Sequence, residues 1–63
     1  MSMSRKDFVA IATTLFRARN LALLRDEDTT VLDGAIKDLC WTFSRLNPRF
    51  DGPKFLSACG LMP

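Results

Sequence analysis

The sequence predicts an all-α domain: an antiparallel helical hairpin followed by a short C-terminal third helix, expected to dimerise. Three observations predict it. Apolar residues recur at three- and four-residue spacings along two long segments, with no strand-like alternation of useful length. A short polar break, RDEDTT, separates those segments, and so short a connection makes the two helices antiparallel neighbours. Beyond them, FDGPKFLSACGL (Phe50 to Leu61) holds a full set of helix start and stop signals.

The first helix is placed at residues 5–24. Ser4 and Asp7 resemble a capping box, and Met3 and Phe8 occupy the positions of a hydrophobic staple. At 100° per residue, Phe8, Val9, Ile11, Ala12, Leu15, Phe16, Ala18, Ala22 and Leu23 share one half of the helix. This predicts a wide buried face. Leu21 and Leu24 point away from it, so something else must cover them.

The second helix is placed at residues 30–46. Its N-cap is either Asp28 or Thr30, the latter paired with Asp33. Leu32, Ile36, Leu39, Phe43 and Leu46 form a core-facing seam, with Val31, Ala35 and Cys40 on its flanks. Asn47-Pro48 ends the helix, because a residue before proline disfavours the helical conformation.

The third helix is placed at residues 52–59. Asp51 is a good N-cap, Pro53 is tolerated in the first turn, and Phe50 and Phe55 form a staple pair. Gly60 suits the position after the cap, with Leu61 able to touch Leu56. A helix this short is unstable alone. It must dock, either at the Phe43–Leu46 end of helix two or over the Leu21/Leu24 corner.

The 63 residues make a single domain, 1–63. A chain of this size folds to roughly 4,100 Å² of surface from roughly 10,300 Å², the marginal end of the range. Small domains often need a staple, a metal or a second copy. The opening MSMSRKDF lacks the apolar core of a signal peptide, so a cytoplasmic setting with reduced Cys40 and Cys59 is expected. The chain has no His, and two distant cysteines do not make a metal site. Self-association is the remaining aid. No apolar run approaches the ~20 residues of a membrane span.

Charge is blocked along the chain: +4 over residues 1–25, −4 over 26–38 and +2 over 39–63. Acids that gather where helix two begins suit its dipole. Nucleic-acid binding would need a basic face. Arg17 and Arg19 point to opposite sides and helix three carries only Lys54, a poor recognition helix.

No catalytic chemistry is evident. Without His there is no Ser-His or Cys-His pair, no glycine-rich phosphate loop is present, and no cofactor is implied. Cys40 and Cys59 read as small core residues.

Trp41 stands out. It lies opposite the helix-two seam, among Gly34, Lys37, Asp38, Ser44 and Arg45. Either helix three or a loop folds over it, or it is a binding hot spot, a role in which Trp and Arg are enriched. Gly34, two turns earlier, would admit a close partner. Arg19 projects onto the apolar half of helix one. It snorkels, or the helix ends near Asn20, or it pairs with an acid across an interface.

The two ends of the chain also resemble small proteins carried by tailed bacteriophages and prophages. Ser4-Arg5-Lys6-Asp7-Phe8 and Ile11-Ala12 match their opening. Asn47, Pro48, Arg49, Phe50, Asp51, Phe55, Leu56, Ala58, Cys59 and Gly60 match their ending, although Gly52-Pro53 stands where that pattern has charged residues. The resemblance implies a viral origin and a bacterial cytoplasm, without naming an activity.

The functional expectation is a non-enzymatic protein that binds another protein, itself as a homodimer or a host protein. Inhibition of a host defence or regulatory protein, including an anti-CRISPR-like role, would follow from the resemblance. The expected contact residues are Trp41, Lys37, Arg45 and Gly34, with Arg17 and Arg19 next. The alternatives are a small DNA- or RNA-binding regulator and a structural subunit of a viral assembly.

Overall fold

The computed structural model describes residues 3–61 and, among them, contains only helices: α1 (Arg5–Leu24), α2 (Thr30–Leu46) and α3 (Gly52–Ala58). α1 and α2 form the hairpin, and α3 packs against both. The bounds match the sequence expectation, save that Cys59 caps α3 rather than belonging to it.

Each helix is delimited by its own side chains. At the start of α1 the Asp7 carboxylate accepts from the Ser4 backbone N–H at 2.8 Å and from its hydroxyl at 3.2 Å. At the start of α2 the Asp28 carboxylate accepts from the Thr30 hydroxyl at 2.6 Å and its N–H at 2.9 Å. Those bonds, the hydroxyl's above all, hold the Asp28 carboxyl below the usual carboxylate range. Asp33 is not partnered by Thr30; it accepts from the Thr29 hydroxyl instead. α2 gives way to an Asx turn in which the Asn47 side chain takes the Arg49 N–H. Asp51 then caps α3 through the Lys54 N–H at 3.1 Å.

Two of the three helices end in the same motif. After α3, the Leu61 N–H reaches the Leu56 carbonyl and the Gly60 N–H reaches Ser57, with Gly60 at φ 90°. After α1, the Glu27 N–H reaches the Ala22 carbonyl and the Asp26 N–H reaches Leu23, with Asp26 at φ 58°. Both are Schellman closures. The second uses an aspartate where glycine is usual.

The core is narrow. Ala12, Ile36, Phe43, Phe55 and Cys59 are buried, and Phe8, Ile11, Leu15, Leu32, Leu39, Cys40, Phe50, Leu56 and Leu61 pack around them. Phe8, Phe43, Phe50 and Phe55 form one aromatic cluster, with tilted or edge-on contacts from 4.8 to 5.6 Å between ring centroids. Such pairs contribute about 0.5–1.5 kcal/mol each beyond their buried area. α3 therefore docks at the Phe43 end of α2, not over Leu21 and Leu24.

Three expectations are corrected. The buried stripe of α1 is thinner than the wheel suggests: Val9, Phe16, Ala18 and Leu23 are exposed. A third helix of seven residues is too short to cover that width. Leu46, placed in the α2 seam, is exposed, because the chain turns away at Asn47 before anything crosses it. Leu21 and Leu24 also stay uncovered. The total accessible surface is 4924 Å², against roughly 4,100 Å² for a compact chain of this mass.

Arg19 neither snorkels nor marks a helix end. Its Nε donates to Asp33 of α2 at 2.9 Å and its Nη1 to the Gly60 carbonyl at 3.1 Å. One guanidinium thus joins all three helical segments and meets the C-terminus of α3, where a cation is favoured.

Candidate functional site

The Trp41 face of α2 is open. The indole is 62% exposed and neither α3 nor a loop covers it. Arg45, one helical turn on, places its guanidinium carbon 4.9 Å from the ring centroid. That distance is within the range of a cation–π contact. Lys37 and Gly34 lie on the same face, both exposed. A methyl group at Gly34 would meet nothing within 4 Å, so the space there is open.

Of the six residues expected to form a contact surface, the structure brings Gly34, Lys37, Trp41 and Arg45 together along one face of α2. Arg17 is exposed on α1, apart from that face. Arg19 is drawn inward by Asp33 and Gly60, so its guanidinium is committed within the chain.

A second surface escaped the sequence reading. Between the start of α1 and α3 lies an open groove of about 300 Å³. Phe8, Val9, Ala12, Phe50, Phe55 and Ala58 supply its apolar lining. Arg5, Arg49 and Lys54 stand around it, with Asp51 the one acid. None of the three cations pairs with a carboxylate among the described residues. Two of them carried a signal that could have been noticed. Arg5 is the first residue of α1 and Lys54 lies in the first turn of α3, and the helix dipole disfavours cations at both places.

Both cysteines pack with the core. Cys59 is fully buried and Cys40 half-buried, and both are free thiols. Burial pushes both thiols up from their ordinary value, and the neighbouring Cys40 pushes Cys59 further. At neutral pH they stay protonated and behave as apolar packing groups. Among the described residues no group of three or more His, Cys, Asp or Glu is placed to hold a metal ion. No described helix is long and apolar enough to cross a membrane.

Comparison with protein-family models, curated proteins and solved structures gives no match, so function must be read from these surfaces alone.

Proposed function

We propose that this chain works without catalysis, by binding another protein through the Trp41 face of α2. One observation carries the reading: a large indole, 62% exposed, stacked by Arg45 on an otherwise polar helix face. Burying such a ring against a partner yields about 25 cal/mol for each Å² of apolar surface removed from water. Trp and Arg are among the residues most enriched where interface energy concentrates. The surplus of accessible surface over a compact chain fits a molecule that completes its burial against something else.

The partner is a second copy, a host protein, or both. The use against a host defence or regulatory protein, in a bacterial cytoplasm, follows from the phage resemblance at the chain ends. Nucleic acid is the weaker alternative, since Arg19 is tied internally to Asp33 and Gly60.

Trp41→Ala tests the reading. Association that survives about 500 mM salt, followed by sedimentation, and capture of partners from host lysate should each fall at least tenfold. Helical circular dichroism should be unchanged, because the indole supports no core contact. Undiminished association, or a collapse of helicity, would refute the assignment of Trp41 as anchor. If phosphate contacts dominated instead, binding to nucleic acid would drop by orders of magnitude between about 50 and 200 mM salt.

A further inference from the structure

The groove between the start of α1 and α3 has the chemistry of a socket, and the chain itself carries a matching knob. We propose that this groove receives the α1–α2 corner of a second copy, in a head-to-tail contact separate from the Trp41 face. The corner is Leu24 to Val31. Leu24 and Val31 are the two most exposed large apolar side chains among the described residues, at 85% and 87%. Between them lie Asp26, Glu27 and Asp28, all exposed, against the single cation Arg25. An apolar pair bracketing three carboxylates complements an apolar groove rimmed by Arg5, Arg49 and Lys54.

The corner is also rigid. The Schellman bonds from Asp26 and Glu27 and the bonds from Thr30 to Asp28 fix its backbone. A pre-ordered loop binds with little further loss of entropy. The knob cannot fill its own chain's socket. α1 has 20 residues between them, a length of about 30 Å, and the molecule is 36 Å along its longest axis.

The placement of the cations supplies an independent reason. Arg5 and Lys54 sit at helix starts, where they weaken the helix rather than serve it. A bound acidic segment would turn that local penalty into attraction. A phosphate backbone would engage the same rim but leave the phenylalanine-lined floor empty. Because the two surfaces differ, one contact leaves a free socket and a free knob at the ends of the pair. Association then continues into rings or open chains of subunits.

The test is sedimentation of the full chain at low and high salt, with two double variants. Lys54→Glu with Arg49→Glu destroys the socket. It places a carboxylate in the first turn of α3, where the dipole favours it, so the fold should hold. Leu24→Ser with Glu27→Lys destroys the knob on a surface that packs against nothing. The wild type should show concentration-dependent assemblies at about 20 mM salt that dissociate by about 500 mM. Each double variant should associate at least tenfold more weakly. An equimolar mixture of the two variants should recover two-chain species and stop there, since one intact socket meets one intact knob. Trp41→Ala should retain this assembly.

A monomeric wild type at low salt would overturn the proposal. So would variants that assemble like the wild type, or a mixture that fails to complement. A closed dimer lost with Trp41→Ala but indifferent to both double variants would also overturn it, while leaving the Trp41 reading intact. The converse pattern would sustain the head-to-tail contact and remove Trp41 as the self-association anchor.

Discussion

The two ends of the hairpin are alike in apolar content and opposite in packing. Where α1 begins and α2 ends, Phe8, Phe43, Phe50 and Phe55 stack into one cluster. Where α1 ends and α2 begins, Leu21, Leu23, Leu24 and Val31 face solvent. The difference is α3. It lays Phe55 and Cys59 against the first end and reaches only as far as Gly60, whose backbone lies against Phe16 and Arg19. The Arg19 clamp marks the limit of the packed half. In a chain this small, burial follows where the last element docks, and hydropathy alone does not assign it.

The largest test of that contrast is a matched pair of truncations. Phe43→Ala should cost about 3–5 kcal/mol through lost transfer energy and a cavity at the centre of the cluster. At roughly 0.05–0.15 kcal/mol per residue, that is most of the stability a chain of this length has. The variant should be largely unfolded at 25 °C by circular dichroism. Leu24→Ala should change stability by no more than about 0.5 kcal/mol. A comparable loss at Leu24 would mean that the exposed corner is packed after all.

The helices themselves were legible, because their signals are local. Ser4 with Asp7, Asn47-Pro48, Asp51 and Gly60 act within a few residues, and the helix bounds follow from them. The position of Trp41 opposite the Ile36–Phe43 seam was legible for the same reason, but whether α3 or a loop would cover it was not. What was not legible depends on pairing across the chain. The partner of Arg19 lies fourteen residues away in Asp33 and forty-one away at Gly60. The groove exists only once residues 5–12 and 47–58 are brought together. Leu46 and Leu23 fit their helical stripes yet are exposed, since periodicity says which face could be buried and not how far the covering helix extends.

The middle-sized test addresses the boundary between the two halves. Arg19→Met keeps the apolar stem and removes the fork that holds Asp33 and Gly60. With both ion-pair side chains about a fifth exposed, at 22% and 23%, the loss should be about 1–2 kcal/mol. It should fall mainly on α3, whose C-terminal carbonyl loses its cation. Cys59 reports this directly, because its thiol is sealed in the native state. Thiol labelling of Cys59 should accelerate in Arg19→Met more than global stability requires. Labelling at the wild-type rate would show that the clamp does not secure α3.

The finest comparison is between the two Schellman closures, one in each half. Gly60 adopts φ 90° and Asp26 adopts φ 58°, both in the left-handed region where a Cβ is strained. At Gly60 an added Cβ would also stand 3.1 Å from the Phe16 ring, so substitution there strains both backbone and packing. At Asp26 the strain is already present and the carboxylate accepts no hydrogen bond among the described residues. Asp26→Gly should therefore stabilise, by about 0.5–1 kcal/mol, as relief of the left-handed strain outweighs the extra backbone entropy of glycine. Urea unfolding should show a higher midpoint at an unchanged slope. The same substitution deletes one carboxylate from the acidic corner, so head-to-tail assembly should weaken as the monomer strengthens. Stability and association moving in opposite directions is an outcome that no simple damage to the fold produces, and a destabilised Asp26→Gly chain would mean that the aspartate holds the loop by a contact other than its backbone.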